Sequence, residues 1–344
     1  MLSKTSRSHR RLSKFVDWIS PPGDTRKDII KQAGEVRDRI KGQAAADGLS
    51  VVATPDSGSF AKNTGLRRHM RGGAEIEGQD VDLPFVVKPA TTEGERIDDL
   101  LKRFAKYAKS SYPTTPQEPT ASSIELRFVD SKLNYDLVPM LKADKDGYQV
   151  ILRKDGTRRL TSVAKHTEFV RKRTEESEKL DGPVTFNECV RLVKWWRYMR
   201  INEGGSINEV RTMLIELLCA SAYDKFKVES TYTATLAKWF AWIAHLVRQK
   251  QKVSFADYST VEAFNESVQK NKLWYVLDPV NENNNVVHSD WTNIQLSEFA
   301  EWFERGRDTL ARIMSCEKDG KDSEVDRLLE ELFGKAVITH GEIS

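Results

Sequence analysis

Apolar residues along the chain change period near its middle, from short alternating runs broken by turns to long stretches with helical spacing. Before the change, Ile29, Ile30, Ala33, Val36 and Ile40 predict an amphipathic helix over residues 25–46, after the breakers Pro21, Pro22 and Gly23. The β-branched run 50–54 and the segment 80–87 read as strands, and 93–109 as a helix. Ile124, Leu126 and Phe128 alternate with Glu125 and Arg127, as a half-buried strand does, and 133–141 is its natural partner. Residues 148–160, interrupted by Asp155-Gly156, predict a hairpin. After Ser162 the periodic stretches 166–177, 186–203, 207–226, 231–250, 260–271, 294–316 and 323–333 all favour helix. Asp181-Gly182-Pro183 breaks the chain near the seam. The expected architecture is α+β: a mixed lobe over 1–165, with an N-terminal helix able to pack across both lobes, then a helical lobe over 166–344.

Composition narrows the class. With 39% hydrophobic and 31% charged residues the chain is an ordinary globular one, and 344 residues suffice for two lobes with real cores. The net charge of +3, from 54 basic and 51 acidic side chains, creates no global field toward nucleic acid or an anionic membrane. Strong nucleic-acid binding is therefore not expected. The basic start of the chain lacks the apolar segment of a signal peptide, and no stretch reaches the roughly 20 apolar residues of a membrane span. A cytoplasmic protein without a membrane partner is expected. Cys189, Cys219 and Cys316 are far apart, the first two in apolar helical patterns, which predicts buried thiols and no disulfide framework.

The candidate chemistry lies in acids on strands. Asp80 and Asp82 sit two apart on one predicted strand, so their carboxylates share a face, and Asp136 lies on another strand that can bring a third to the same point. Three hard oxygen donors suit magnesium. Two ions roughly 3.5–4 Å apart would polarise an attacking sugar hydroxyl and stabilise a pyrophosphate leaving oxygen. Upstream, Gly58 lets backbone approach a phosphate, Ser59 offers a hydroxyl and Lys62 adds charge; the plain alternative is a turn entering a helix with Ser59 as N-cap.

The ordered series G-S-F-A-K-N-T, D-V-D, N-Y-D-L-V-P, R-L-V-K-W-W, T-M-L-I-E-L-L and L-D-P-V-N-E-N-N-N-V resembles the bacterial cGAS/DncV-like nucleotidyltransferases, relatives of oligoadenylate synthase, over roughly residues 25–335. The resemblance implies a polymerase-β-like nucleotidyltransferase core, a C-terminal helical lobe and a cleft between them. It implies synthesis of a cyclic di- or trinucleotide second messenger in antiviral signalling, from ribonucleoside triphosphates with ATP foremost and GTP or others open. By motif, Asp80, Asp82 and Asp136 match the metal-binding acids, for two Mg2+ ions with Mn2+ as a substitute. Gly58 and Ser59 match the triphosphate loop, Lys194 a lysine on donor phosphates, and Thr212 a phosphate-contacting serine. Asn285 ends a segment like a family loop near the cleft. A HORMA-type regulator, or a partner modifying the C-terminal tail 338–344, is compatible with the family.

Local alternatives stay open: Lys194 as a solvated lysine beside an aromatic stripe, Thr212 as a helical threonine bonded to its own backbone, and 278–285 as an Asx-turn cluster. Two departures stand out. The insert 69–75 shows no helix or strand pattern, and Pro84 requires its strand to be bulged or at an edge there. An RNA-tailing or small-molecule-modifying nucleotidyltransferase, or a catalytically silent interaction module, would fit the same elements.

Overall fold

The computed structural model describes residues 6–67, 69–71, 74–77, 80–88, 97–130, 133–152, 158–180, 182–256 and 272–341. In chain order the elements are α1 (Arg7–Ile19), α2 (Gly23–Ala46), β1 (Val51–Ala53), α3 (Gly58–Ala61), β2 (His69–Arg71), β3 (Ala74–Glu77), β4 (Asp80–Val87), α4 (Ile97–Ser111), β5 (Gln117–Pro119), β6 (Ile124–Phe128), β7 (Leu133–Lys142), β8 (Gln149–Leu152) and β9 (Arg158–Thr161). Then follow α5 (Val163–Glu178), α6 (Phe186–Ile201), α7 (Thr212–Phe226), α8 (Tyr232–Arg248), β10 (Leu277–Asp278), β11 (Asn281–Asn285), α9 (Asn293–Lys318), α10 (Asp322–Phe333) and α11 (Ala336–His340). The helix expected over 260–271 lies outside the described residues. The chain forms two compact units, one of Pro21–Glu168 and one of Met1–Ser20 with Phe169–Ser344.

The first unit is built on a sheet in the order β1-β4-β7-β6-β5, with β8 pairing β7 and β9 pairing β8. β4 and β7 run parallel and the other pairs antiparallel. Odd-numbered residues of the central strands, Val81, Leu83, Phe85, Tyr135 and Leu137, bury one face against Ile29, Val36 and Ile40 of α2 and Leu100 and Phe104 of α4. The opposite face is apolar only at one end, where Val138 and Met140 pack with Val163 and Ile151. That leaves the other end of the face for polar chemistry.

Two expectations resolve here. Pro84 does not interrupt the β4–β7 register, which runs unbroken from Asp80 opposite Asn134 to Val87 opposite Leu141. β1 pairs β4 only at Val86 and Val87, so Pro84 lies on an open edge, where a missing N–H leaves no ladder bond unmade. The insert before it is not patternless: β2 and β3 pair antiparallel, with Arg71 opposite Ala74. The overlooked signal is Gly72-Gly73 in the sequence, a dipeptide of the kind short hairpin turns use.

The second unit is helical and includes the first twenty residues, which the sequence had put with the mixed lobe. The reason is an apolar stripe, Leu12, Phe15, Val16 and Ile19, hidden behind the basic start of α1 and fully or almost fully buried. Phe15 meets Trp195 edge-on at 5.4 Å, and Trp18 stacks on His340 at 4.0 Å, so α1 and α11 pack together. The described part of the C-terminal tail is thus docked: Arg11 donates to the Gly341 carbonyl at 3.1 Å. α6 is buried on nearly all sides, and Trp195 Nε1 donates to the Phe333 carbonyl at 2.8 Å. Cys189 and Cys219 are buried free thiols whose pKa burial raises. Among the described residues no helix is long and apolar enough to cross a membrane.

α8 and α9 come so close that only glycine fits between Phe240 and α9. A Cβ on Gly306 would sit 2.7 Å from two Phe240 ring carbons and 3.3 Å from Trp196. Gly306→Ala raises helix propensity yet should destabilise the protein by about 1–3 kcal/mol through overpacking. Urea unfolding midpoints check this; a stabilised variant would contradict it.

Candidate active site

The parallel pairing of β4 with β7 sets Asp82 directly opposite Asp136, with Asp80 opposite Asn134. Their odd-numbered neighbours are in the core, so Asp82 and Asp136 project from the other face, both half-buried. Asp80 shares that face by strand period; its side chain lies outside the described ones. Neighbouring strands stand about 4.8 Å apart, which sets two carboxylates side by side. Like charges so placed repel unless a cation or hydrogen-bond donors answer them. Among the described side chains no group of three His, Cys, Asp or Glu that could hold a metal ion is found, and the side chain of Asp80 is not among them.

The loop after β1 closes on this face. Gly58 opens the single turn α3 with φ +72°, and a Cβ there would lie 2.1 Å from Asp82 Oδ2. Glycine is required twice over, by the left-handed backbone and by the approach to the carboxylate. Ser57, not Ser59, is the N-cap residue, and its side chain makes no capping bond. Ser59 lies within the turn, its carbonyl accepting from Thr64 N–H at 2.9 Å. Lys62 is half-buried at the end of α3. Arg26 ties the loop to α2, donating to Asn63 Oδ1 at 3.0 Å with its guanidinium 5.1 Å from the Phe60 ring centroid. The structure therefore brings Gly58, Asp82 and Asp136 together, with Ser59 and Lys62 on the adjoining turn. These oxygen donors fit a hard divalent cation, and the gap that only glycine leaves gives backbone access beside them.

One residue escaped the sequence reading. Ser123, buried in the turn between β5 and β6, donates from Oγ to Asp136 Oδ1 at 2.8 Å. No periodicity marks a serine in a turn, and only strand pairing shows that it meets the acid. Glu125, opposite Asp136 on β6, is held by Arg127 at 2.7 Å.

In the helical unit two expected ligand contacts are corrected. Lys194 is neither solvated nor presented to a phosphate: it has no exposed surface, and its ammonium lies 2.8 Å from the buried Glu216. Because α6 is enclosed on nearly every side, the Lys194 ammonium is met by an anion from the next helix. Asn285 is also internal, its Oδ1 accepting from Val276 and Val287 N–H and its Nδ2 donating to the Trp274 carbonyl. Asn284 and Asp278 bond each other at 2.8 Å, so the segment is the Asx-type cluster and Asn285 organises the β10–β11 hairpin. Thr212 is the first residue of α7, half-exposed, and so not bonded back along a preceding helical turn. The helix begins there and not at Ile207 because Arg211 is extended, its N–H donating to His288 Nε2 at 3.1 Å.

Residues 7–173 match the family model of the Second Messenger Oligonucleotide or Dinucleotide Synthetase domain, SMODS. No curated protein sequence matches the chain significantly. The fold is similar to that of E. coli MS115-1 CdnC in a structure with ATP, at TM-score 0.78 and 20% identity over 97% of this chain and 99% of that one. It is similar to the same protein in complex with HORMA-deltaN, at TM-score 0.71 and 21% identity over 95% and 97% of the chains. The Bradyrhizobium diazoefficiens CD-NTase CdnG, in complex with GTP, follows at TM-score 0.72 and 15% identity over 97% and 98%. These likenesses establish a shared fold.

Two outcomes test the helical unit. Lys194→Met leaves Glu216 buried without this partner and should cost about 3–5 kcal/mol in denaturant unfolding, whereas Lys194→Met with Glu216→Leu should recover most of the loss. Equal losses in the single and double variants would deny the pairing. The second concerns His288, whose pKa is lowered by burial and by Arg211, against the opposing pull of Glu209 and Asp290. The fold prefers neutral imidazole, while the unfolded chain takes up a proton near 6.5. Stability should therefore fall as pH drops through 6.5 toward the depressed folded value. Urea midpoints at pH 7.5 and about 5.5 should differ in that direction, and His288→Gln should flatten the difference.

Proposed function

We propose that this chain, which carries a SMODS domain over residues 7–173 and shares the CD-NTase fold, is a template-independent nucleotidyltransferase. It joins ribonucleoside triphosphates, ATP foremost, into a cyclic di- or trinucleotide that serves as an antiviral second messenger. The observation that carries this reading is the level pair Asp82 and Asp136 with the Gly58 backbone closed onto Asp82. In each step a sugar hydroxyl oxygen bonds to the α-phosphorus of a second nucleotide, the α–β bridging bond breaks, and pyrophosphate leaves as the hydroxyl proton is lost. Asp82 and Asp136, with Asp80 on the same strand face, are the residues that would hold Mg2+ or Mn2+. The ions supply charge neutralisation for the attacking and leaving oxygens. The Gly58 backbone, the Ser59 hydroxyl and the Lys62 ammonium orient the triphosphate beside these acids. Thr212, the first residue of α7, keeps the phosphate-contacting role that the family motif gives it. A HORMA-domain protein, of the kind complexed with E. coli CdnC, is the regulator this reading carries.

The test is incubation of purified protein with all four ribonucleoside triphosphates and Mg2+ or Mn2+, followed by mass spectrometry of phosphatase-resistant products. A cyclic product is expected, abolished in Asp82→Ala and Asp136→Ala at unchanged thermal midpoint. Gly58→Ala should lose about 10²-fold through misplacement of the loop and Asp82. Turnover retained by Asp136→Ala would remove the site assignment, and extension of added RNA without a cyclic product would replace the synthase with a tailing enzyme.

A further inference from the structure

Ser123 lies in the tight turn joining β5 to β6 and is only 6% exposed. Its Oγ is 2.8 Å from Asp136 Oδ1 and 2.7 Å from Thr120 Oγ1. Thr120 Oγ1 also accepts the backbone N–H groups of Ser123 at 3.0 Å and Ser122 at 3.3 Å. The turn is closed by Thr120 N–H on the Ser123 carbonyl at 2.9 Å.

Two oxygen–oxygen contacts this short each need a proton between them. Ser123 donates to Asp136, so its hydroxyl proton lies toward the carboxylate. Thr120 Oγ1, which already accepts two N–H groups, then has two acceptors for its own proton, Ser123 Oγ at 2.7 Å and the Ser123 carbonyl at 3.3 Å. With the Thr120 proton on the shorter of its two contacts, the chain runs from turn backbone through Thr120 and Ser123 to Asp136. The final bond is of the charge-assisted kind, stronger than a neutral one. On the adjoining strand Arg127 ion-pairs Glu125, the register partner of Asp136, which tempers the nearest like charge on that side.

We propose that Thr120 and Ser123 form a directional hydroxyl relay that fixes the Asp136 carboxylate in the orientation needed to hold a divalent cation, a role that rests on the site reading above. Both are positioning residues. Hydrogen-bond partners behind a metal-holding side chain set its orientation, and their loss commonly weakens metal binding by about 10–100-fold.

The test is Mn2+ titration of the full chain by electron paramagnetic resonance, with and without a non-hydrolysable ATP analogue, alongside thermal midpoints. Ser123→Ala should weaken Mn2+ binding by about tenfold or more, Ser123→Thr should restore it, and Thr120→Val should fall between. A purely structural role would lower the midpoint and leave Mn2+ affinity unchanged. Should Ser123→Ala fail to fold, Thr120→Val carries the test alone. Wild-type affinity in the variants, or no rescue by threonine, overturns the relay. Mn2+ binding by the wild type without any nucleotide product would keep the relay and remove the synthase reading, whereas a wild type that binds no Mn2+ overturns both.

Discussion

Everything at the candidate site depends on the register between β4 and β7. Apolar residues at odd positions of both strands anchor it, because a slip by one residue would turn Asp82 or Asp136 into a core lined by Phe85, Leu137 and Phe104. The desolvation cost of a carboxylate there exceeds what either strand gains by pairing, so the same alternation that builds the core also levels the acids. Gly58 and Ser123 then act on a geometry already fixed, one by letting backbone approach Asp82 and the other by hydrogen-bonding Asp136.

The helical unit obeys the complementary rule for buried cations. Lys194 with Glu216, Arg11 with Asp326 and Arg173 with Asp224 each join a charge on one helix to its opposite on another. Each is more informative about which helices pack than about ligands. A lysine that matches a phosphate-binding motif by position can therefore serve the core instead, as Lys194 does. The near-neutral charge of the whole chain is the sum of many such local pairings.

Periodicity was a sound guide wherever one face of an element is buried and the other wet. The strand 124–128 and the helix beginning near 25 were legible for that reason, and 80–87, buried on both faces beyond Asp82, was legible from its apolar, β-branched run. α1 was not, because its basic first turns mask a four-residue apolar stripe, and β2–β3 was not, because its signal is a glycine pair without flanking alternation. At the site, Asp82, Asp136 and Gly58 were legible because residue type and strand position constrain them strongly. Ser123 and Thr120 were not, since a hydroxyl in a turn carries no periodic mark.

The sequence by itself determined the identity of the acids, their placement on strands and the glycine that a close backbone approach demands, because these follow from local chemistry and a period of two. Only the tertiary structure decided which side chains meet. Strand pairing put Ser123 against Asp136, and helix packing put Lys194 against Glu216, since contacts between distant segments are set by how whole faces bury against one another.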